Sequence, residues 1–497
     1  MKILVGYPPT EDSKGTPLLS QNRQFQYFNN PTFLFPVALA TAATMLKDKN
    51  YKIFWKDAIA EGVGSDEFYR FLESEKLDLF LFETKTPVIK KHWQFISDLK
   101  KRFPSLLIAI CGDHVSAFPR ETMDACPVDY LINGGYYDFA FLELCEALRK
   151  NEPIPKGVWY RKSGKIVENG RYSFKGKLDD APIIDRVFTR NDLYQKEFNL
   201  IGRPLAYIMS GRDCWWGKCT FCVWDHTLYP KGTYRARSPE NVLEEVKYLV
   251  DECGVKEIFD DAGTITVGLW LRRFCKLMIE SGYNKKVMYS CNMRFGAVNA
   301  EEYKLMKKAG FRLLKYGLES ASQKTIDKLD KGTDVLGIEE SCHLAKQAGL
   351  TVHLTMMVGY PWETKSDALK TYRLAKRLMV KGYADVLQST VVIPYPGTPL
   401  YAEALDKKWL LFDDPTAYER FDMREPVFKT QDMTPDEVMA LCNKIYHIFL
   451  NPEYIVRHLA KIRSIEDVRY TLKGVKAVFG HLRDFSWSSG PTQQKAI

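Results

Sequence analysis

Three cysteines stand close together near the middle of the chain. The segment from Gly211 to Cys222 contains Cys214, Cys219 and Cys222. Three thiolates on one short loop can ligate three irons of a cubane iron-sulfur cluster, which leaves one iron open to a small molecule. A structural zinc site would need a fourth ligand, and His226 is close enough in sequence to supply it. The pattern predicts an iron-sulfur cluster with one open iron, with zinc as the alternative.

Polar residues follow several of the apolar, strand-like runs after the cysteines. These candidate site residues are Asp260, Asp261, Arg294, Glu319 and Ser320, with Gly359 at a further strand end. A guanidinium such as that of Arg294 can pair bidentately with a carboxylate, and a carboxylate such as that of Glu319 can accept hydrogen bonds from hydroxyls. The alternatives are structural, since an acid after a strand can cap a helix and an arginine can lie on the surface.

The elements that would position these residues are predicted from the hydrophobic pattern. In residues 1–150, buried parallel strands are predicted at residues 3–5, 52–55, 77–82, 106–110 and 129–132. Helical stretches, such as residues 37–47 and 91–102, lie between them. This β-α repeat predicts a doubly wound, Rossmann-like domain with a ligand crevice at the carboxyl ends of its strands.

A second α/β series follows a polar, turn-rich segment. Residues 151–198 are interpreted as a linker with short strands, and residues 199–412 as a partial, TIM-like β/α barrel with six strands. Barrel sites lie at the carboxyl ends of the strands, which is where the candidate residues fall. Residues 413–497 are predicted to be a helical region with a frayed tail.

Composition limits the classes of protein that this chain can belong to. The 497 residues are 45% hydrophobic, which excludes wholesale disorder, and the net charge of +9 is diluted over a long chain. No run of about 18 apolar residues predicts a transmembrane helix, and the first apolar run is too short for a signal peptide. The eleven cysteines are expected to be thiols or metal ligands, so we expect a cytoplasmic protein.

The cysteine loop and the strand ends together resemble the radical S-adenosylmethionine (SAM) superfamily. Cys214, Cys219 and Cys222 have the spacing C-x4-C-x2-C, one residue longer than the usual C-x3-C-x2-C of that family. The resemblance implies a [4Fe-4S] cluster whose open iron chelates SAM. It also implies SAM contacts, which fall at Asp260 and Asp261 for the amino group, Arg294 for the carboxylate, Glu319 and Ser320 for ribose or methionine, and Gly359 for adenine.

The N-terminal domain resembles that of the cobalamin-binding subclass of the same superfamily. The segment from Ile110 to Pro119 is similar to the Gly-Gly-x-His-x-Thr-x-x-Pro pattern of this subclass, and the next strand end keeps a glycine where Tyr136 and Tyr137 replace the usual acids. The resemblance implies cobalamin contacts, which fall at Gly112, His114, Ser116 and Gly134. The Asp-x-His-x-x-Gly signature is absent, so we expect no histidine ligand to cobalt from that motif. A vestigial domain without cofactor is the alternative.

The resemblance implies a cobalamin-dependent radical SAM enzyme that methylates an unactivated carbon. Alternatives are a cyclase, oxidase or rearrangement enzyme without methyl transfer, or a non-catalytic metal- or corrinoid-binding protein. A methylthiotransferase is disfavoured because Cys111, Cys126 and Cys145 are too dispersed to form a second cluster motif. We expect a small-molecule or peptide substrate, an external electron donor and no nucleic acid partner. The basic stretch from Arg457 to Arg483 adds a peripheral membrane contact as a further option.

Overall fold

The structure is a computed structural model, and it describes residues 1–19, 25–28, 31–197 and 199–460. Most of the basic stretch from Arg457 to Arg483 and the expected frayed tail lie outside these residues. Within the described part, no helix combines the length and the apolar character that crossing a bilayer requires.

The first sheet is built mainly from the N-terminal third of the chain. Its strands and the short hairpin beside it are β1 (Lys2–Tyr7), β2 (Thr16–Pro17), β3 (Tyr27–Phe28), β4 (Lys52–Asp57), β5 (Leu79–Thr84), β6 (Leu107–Gly112), β7 (Tyr130–Ile132), β8 (Val158–Lys162) and β9 (Lys165–Val167). The helices are α1 (Val37–Asp48), α2 (Ala58–Glu61), α3 (Ser65–Glu75), α4 (Ile89–Arg102), α5 (Asp113–Ala117), α6 (Pro119–Ala125) and α7 (Tyr137–Lys150). The strand order is β4-β1-β5-β6-β7-β8-β9, with β4 to β7 parallel. Five parallel strands in this order make a doubly wound sheet, as the sequence predicts.

The first sheet extends beyond the boundary expected at residue 150. Strands β8 and β9 pair antiparallel with β7 and with each other, and so they add an edge to the sheet. Burial decreases along β8 from Val158 to the exposed Lys162, and no residue of β9 is fully buried, as expected near an edge. Every residue of β5 is buried, because parallel strands are covered on both faces. Part of the segment interpreted as a linker therefore belongs to the first sheet.

The second sheet is built from residues 205–391. Its strands and the small hairpin after the first of them are β10 (Leu205–Ile208), β11 (Gly211–Arg212), β12 (Arg235–Ala236), β13 (Glu257–Asp260), β14 (Met288–Met293), β15 (Phe311–Glu319), β16 (Thr351–Val358) and β17 (Val386–Val391). The helices between the strands are α8 (Pro239–Asp251), α9 (Leu269–Glu280), α10 (Ala300–Lys308), α11 (Gln323–Lys328), α12 (Ile338–Gln347) and α13 (Lys365–Lys381). All pairings in the order β10-β13-β14-β15-β16-β17 are parallel, which gives the expected six-stranded partial barrel.

Local sequence signals set the ends of the barrel helices. Ser238 accepts a hydrogen bond from the Asn241 backbone N–H, as expected for the N-cap of α8. Thr364 and Asp367 form a capping box at the start of α13, and Gly382 ends this helix in the left-handed conformation at φ 77°. The helices are thereby held to lengths that return each chain segment to the amino end of the sheet.

The C-terminal part of the described chain is helical. Its helices are α14 (Pro399–Asp406), α15 (Pro435–Tyr446) and α16 (Pro452–Leu459). Helix α15 packs on the last barrel strand, where the Tyr446 hydroxyl donates to the Ser389 carbonyl oxygen at 2.8 Å. The α/β class with a doubly wound sheet, a partial barrel and a helical C-terminal region is thus confirmed.

The two sheets are joined through the loop that carries the cysteines. Arg212 of β11 forms a 2.6 Å ion pair with Asp138 of α7, and both side chains are buried. The Gly135 backbone N–H donates to the Leu228 carbonyl oxygen at 2.7 Å. The carboxyl end of the first sheet is therefore covered by a segment of the second.

Candidate functional site

The cysteine loop leaves the sheet and returns to it through one small hairpin. Strands β11 and β12 pair antiparallel, so that residues 213–234 form an excursion with a fixed base. The middle of the loop is tied down at Thr220, whose N–H donates to the Leu329 carbonyl oxygen and whose carbonyl oxygen accepts from the Leu400 N–H, each at 3.0 Å. The extra residue in the cysteine spacing is thus accommodated in a loop that is anchored at both ends and in its middle.

The three cysteines line one cavity at the carboxyl end of the second sheet. The cavity has a volume of about 210 Å³. Cys219 and Cys222 are each 7% exposed, and Cys214 is half-buried. Gly263 packs directly on the loop, because a Cβ at this position would lie 2.8 Å from the Cβ of Cys214. A glycine after β13 therefore allows the cysteine loop to lie against the strand end.

The arrangement differs from a site for a single metal ion. Among the residues that the structure describes, no three His, Cys, Asp or Glu side chains converge closely enough to hold one ion. A cubane cluster does not need such convergence, because each cysteine ligates a different iron. The His226 Nε2 lies 3.2 Å from the carbonyl oxygen of Cys219, to which it donates, and it does not complete a zinc site.

Buried cations surround the cysteines. Burial raises the pKa of the Cys219 thiol to about 12, and Lys331 and Arg294 oppose this shift because they stabilise the thiolate. Burial lowers the pKa of Lys331, but Glu319 and Cys219 more than offset this, so its pKa is raised overall. The Lys331 Nζ lies 3.0 Å from the Glu319 Oε1. These charges favour anionic ligands at the cysteines.

Aromatic side chains hold the guanidinium of Arg294 in place. It lies 4.2 Å from the ring centroid of Trp216 and 5.5 Å from that of Trp215, distances typical of cation–π contacts. The Nη2 of Arg294 donates to the Lys331 carbonyl oxygen. The tryptophans of the cysteine loop thus position a cation beside the thiols.

Three of the six residues predicted to contact SAM line the cavity together with the cysteines. They are Asp261, Arg294 and Glu319. The Asp261 Oδ1 accepts from the Asn292 amide at 3.1 Å, which fixes the orientation of the carboxylate after β13. Glu319 ends β15 with φ 56°, after an irregularity in the pairing with β16. The structure brings these three residues to one place, and their roles stay predictions.

The other three residues of that set do not line the cavity. Asp260 is 1% exposed and accepts hydrogen bonds from the Ser210 N–H at 2.9 Å and the Tyr289 hydroxyl at 2.9 Å. Ser320 is fully buried, and its hydroxyl donates to Glu363 at 2.6 Å. Gly359, at φ 90°, packs against Val438 of α15, whose Cγ1 would lie 2.9 Å from an added Cβ. All three therefore contact other parts of the protein at the strand ends and do not contact the cavity.

The residues predicted to contact cobalamin lie at the strand ends of the first sheet, and three of them bond to one another. The Ser116 hydroxyl donates to the Gly112 carbonyl oxygen at 2.7 Å and accepts from the Gly134 N–H at 3.1 Å. His114 is fully buried, with its ring 4.5 Å from that of Tyr418. None of the four lines the described cavity. Gly112 is needed for close packing, because an added Cβ would lie 2.1 Å from the Thr84 carbonyl oxygen.

Several cavity residues were not predicted from the sequence. They are Leu18, Phe28, Leu34, Glu197, Asp225, Asn292, Lys315, Lys331, Gln388, Tyr395 and Met423. Asn292 precedes Arg294 by two residues at the same strand end, so its position in the sequence is a signal that could have found it. Lys331 lies in the loop after α11, and only the fold brings it to Glu319. The apolar members come from the segment after β1 and from the loops after β17.

Comparison with known families identifies the second sheet. The sequence model of the family described as Radical SAM superfamily matches residues 208–375. This range begins at the end of β10, includes the cysteine loop and reaches into α13. The match covers the cysteines and the three cavity-lining residues Asp261, Arg294 and Glu319.

Two curated relatives extend over most of the chain. An uncharacterized methyltransferase from Pyrococcus horikoshii is 26% identical over 465 residues, which is 92% of this chain and 95% of the relative. An anaerobic magnesium-protoporphyrin IX monomethyl ester cyclase from Cereibacter sphaeroides is 24% identical over 416 residues, which is 81% of this chain and 65% of the relative. The chain therefore spans slightly less than two thirds of the cyclase.

Solved structures of TsrM, a radical SAM methyltransferase from Kitasatospora setae, share the fold over nearly the full length. The structure with tryptophan and a SAM analogue gives a TM-score of 0.69 at 14% identity, covering 97% of this chain and 98% of TsrM. The structure with cobalamin and a [4Fe-4S] cluster gives 0.68 at 13% identity, covering 97% and 99%. The resemblance of the cysteine-bearing part of the chain to the radical SAM superfamily is confirmed by the family model over residues 208–375.

Proposed function

We propose that this protein is a cobalamin-dependent radical SAM methyltransferase that acts on an unactivated carbon of a small molecule. The observation that carries the proposal is the set of three cysteines around one cavity, with the cations Arg294 and Lys331 beside them. The fold supplies the rest of the support, because the segment after β1 of the doubly wound domain contributes Leu18, Phe28 and Leu34 to the wall of the cavity.

The residues at the cysteine loop fit a [4Fe-4S] cluster and SAM. Cys214, Cys219 and Cys222 would hold the cluster. Arg294 would pair with the SAM carboxylate, and Asp261 and Glu319 would accept hydrogen bonds from its amino and hydroxyl groups. When bound, the cluster supplies an electron that cleaves SAM to a 5′-deoxyadenosyl radical. The chain itself orients SAM and excludes water, which a loop packed around buried thiols can do.

A different part of the cavity wall fits cobalamin. Leu18, Phe28, Leu34, Tyr395 and Met423 give this wall an apolar character that suits the flat face of a corrin. No histidine is found among the described residues that line the cavity. Cobalamin would supply the methyl group. The four motif residues do not open onto this space, so we assign the contacts to the wall.

The relatives favour methyl transfer as the outcome. The Pyrococcus horikoshii protein that is named a methyltransferase aligns over 95% of its length, and TsrM is a methyltransferase that shares the whole fold. A cyclase reaction is the second candidate, because the Cereibacter sphaeroides relative is a cyclase and aligns over 416 residues. Both candidates use the same cavity and differ in the fate of the substrate radical.

The proposed enzyme needs a small-molecule substrate and an external one-electron donor. It is assigned to the cytoplasm, where reducing conditions keep thiols free. All eleven cysteines lie within the described residues, and none is paired in a disulfide.

Product analysis under anaerobic conditions tests the proposal. The protein would be reconstituted with iron, sulfide and cobalamin, and incubated with SAM carrying a labelled methyl group, a reductant and a metabolite extract. Methylation consumes one SAM for the radical and a second for the methyl group, so labelled product, 5′-deoxyadenosine and S-adenosylhomocysteine should form together. Deoxyadenosine without labelled product or S-adenosylhomocysteine would favour the cyclase. A protein that binds zinc and no iron would refute both.

A further inference from the structure

One cation at the floor of the cavity, Lys315, has no acidic partner among the residues that the structure describes. Lys315 lies in the middle of β15, and side chains alternate along a strand, so it shares the inward face with Gly317 and Glu319. All three residues line the cavity. Lys315 is half-buried, because it faces this space rather than bulk solvent.

The surroundings of Lys315 differ from those of the other cavity lysine. Lys331 is paired with Glu319 at 3.0 Å, but no ion pair or hydrogen bond joins Lys315 to any residue that the structure describes. The Nζ of Lys315 rests 5.1 Å from the ring centroid of Phe259. A cation–π contact partly compensates an ammonium for lost water but does not neutralise its charge.

The groups beneath Lys315 are not acids either. His353 pairs with it in the strand register and is 1% exposed. Within the described part of the chain, neither ring nitrogen of His353 has a hydrogen-bond partner. Burial lowers the pKa of His353 well below its usual value, and Lys315 and Arg312 lower it further, so the imidazole is neutral. The protein therefore leaves a positive charge without an opposite charge at the bottom of the cavity.

The acids that share the cavity are engaged elsewhere. Glu319 pairs with Lys331, and Asp261 accepts from Asn292. Glu197 accepts from the Asn199 N–H at 3.1 Å, and Asp225 shares a hydrogen bond with Asp213. A half-buried charge is costly unless a counter-ion or hydrogen-bond acceptor compensates it. An anionic group on a bound molecule would do so.

The depth of Lys315 points to the substrate rather than to SAM. It precedes Glu319 by four residues on one strand, which places its Cα roughly 13 Å deeper at about 3.3 Å per residue. Arg294 and Lys331 lie near the thiol of Cys219, and the Lys331 Nζ lies with the Glu319 Oε1 over Gly317, at 2.9 Å and 2.3 Å from a Cβ added there. A carboxylate bound beside the cysteines is served by these two cations, whereas Lys315, two residues before Gly317 on β15, serves a group that lies deeper in the cavity.

A neighbouring amide complements the lysine. Gln388 of β17 also lines the cavity and makes no hydrogen bond within the described part of the chain. In the strand register Gln388 pairs with Thr355, and Thr355 pairs with Gly317. Gly317 is the next residue of β15 after Lys315 that faces the cavity. The Glu319–Lys331 pair covers Gly317, so Lys315 and Gln388 lie beside each other beneath this pair. One ammonium and one amide N–H match the two oxygens of a carboxylate.

We propose that Lys315, assisted by Gln388, anchors the carboxylate of the substrate at the floor of the cavity. The substrate class is then a small molecule that carries a carboxylate at one end and presents its reacting carbon toward the cysteines. This assignment rests on the proposed function, since it takes the cavity to be the place where the SAM-derived radical meets a substrate.

Fractionated metabolites test the charge of the substrate. An extract of the organism that encodes this chain would be separated on an anion exchanger, and each fraction would be incubated with the reconstituted holoenzyme, SAM and reductant. Mass spectrometry should detect SAM-dependent conversion of a compound in the retained fraction. Conversion only of unretained compounds, or of none, would overturn the proposal.

Two substitutions test the residue. Lys315→Met should lower kcat/KM for the retained substrate by about 10- to 100-fold, the usual range for a lost charge-assisted hydrogen bond, whereas Lys315→Arg should lose much less. The methyl ester of the same substrate should be converted equally by the wild type and by Lys315→Met. Gln388→Leu should cause a smaller loss with the same dependence on the free carboxylate.

Equilibrium dialysis with SAM separates the two carboxylates that Lys315 could bind. SAM affinity should be unchanged in Lys315→Met, and a loss of SAM affinity would assign the lysine to SAM and refute the proposal. If the wild type converts a retained compound without transferring the labelled methyl group, methylation fails while the anchoring role of Lys315 stands.

Discussion

The carboxyl ends of the two sheets carry similar residues but differ in what those residues face. At the second sheet, Asp261, Arg294 and Glu319 point into a cavity that also contains the cysteines. At the first sheet, Ser116 satisfies the backbone of Gly112 and Gly134 instead. Polar residues at the strand ends thus face a cavity in the second sheet, whereas in the first sheet they form hydrogen bonds within the protein.

We call the carboxyl end of the first sheet the closed edge and the carboxyl end of the second sheet the open edge. Both depend on the segment that carries the cysteines. Leu228 and Tyr229, which follow the cysteines in the chain, cover the glycines at the end of β7, and an added Cβ at Gly135 would lie 2.6 Å from the Tyr229 ring. The loop that brings thiols to the cavity therefore also seals the first sheet. A crevice at a doubly wound sheet depends on what the next domain places over it, and not only on its own strand order.

The largest expected effect comes from the open edge. Cys219→Ser should abolish iron-sulfur absorbance and SAM cleavage, because the remaining two thiols cannot hold a cubane with one open iron. The measurement is the absorbance spectrum and 5′-deoxyadenosine yield after anaerobic reconstitution. Cys253→Ser is the matched control, since Cys253 is half-buried and lies away from the cavity lining. A Cys219→Ser protein that still cleaves SAM would show that the cysteine cluster is not the site.

Much of this open edge could be predicted because its signals are local. Apolar runs placed all six barrel strands, and three cysteines in one loop after the first strand marked the site before any fold was known. Arg294 and Asp261 were found for the same reason, as each directly follows a strand that the hydrophobic pattern located.

The sequence also contains a physical reason why some of the predicted residues at this edge do not line the cavity. Asp260 and Asp261 were predicted as a pair, and so were Glu319 and Ser320, but neighbouring residues of a strand point to opposite faces. Only Asp261 and Glu319 reach the cavity, while Asp260 and Ser320 bond to Tyr289 and Glu363 behind the sheet. Applying the two-residue period at the strand ends would have selected one member of each pair.

The contribution of Lys331 could not be predicted, because it depends on contacts far apart in sequence or across a loop. Lys331 pairs with Glu319 because the fold places the loop after α11 beside the end of β15. The covering of Gly134 and Gly135 by Leu228 and Tyr229 is of the same kind, because it joins the two sheets. No spacing or periodicity within one segment encodes such a contact.

The buried ion pair at the open edge gives the next largest effect. Lys331→Met should lower the free energy of unfolding by about 3 kcal/mol, because Glu319 is left buried without its counter-ion, and should weaken SAM binding. Urea unfolding and equilibrium dialysis with SAM, both anaerobic, measure the two quantities. Lys247→Met, which breaks an exposed pair with Glu244, should leave both nearly unchanged.

A double variant identifies the cause of that loss. Lys331→Met combined with Glu319→Gln should recover much of the stability, because a neutral amide needs no counter-ion. It should not recover SAM binding if Glu319 contacts SAM. Recovery of both properties would mean that the pair only supports the fold.

The smallest expected effect tests how completely the first sheet is closed. Burial raises the pKa of Glu83 at the end of β5 from 4.5 to about 7, against the opposing effects of Lys85 and of the Tyr7 hydroxyl, which donates to Glu83 at 2.7 Å. The folded pKa is raised, so the stabilisation is complete below pH 4.5 and is lost as the pH rises through 7. The shift corresponds to about 3 kcal/mol as an upper value.

Glu83→Gln should remove this pH dependence while its side-chain carbonyl still accepts from Tyr7. Between pH 5 and pH 8 the wild type should therefore lose more stability than the variant, which urea unfolding at the two pH values measures. Glu363, at the second sheet, has its pKa raised from 4.5 to about 7 by burial as well, so Glu363→Gln is the matched comparison. If Glu83→Gln kept the full pH dependence while Glu363→Gln lost it, solvent would reach the edge of the first sheet, and the contrast between a closed and an open edge would fail.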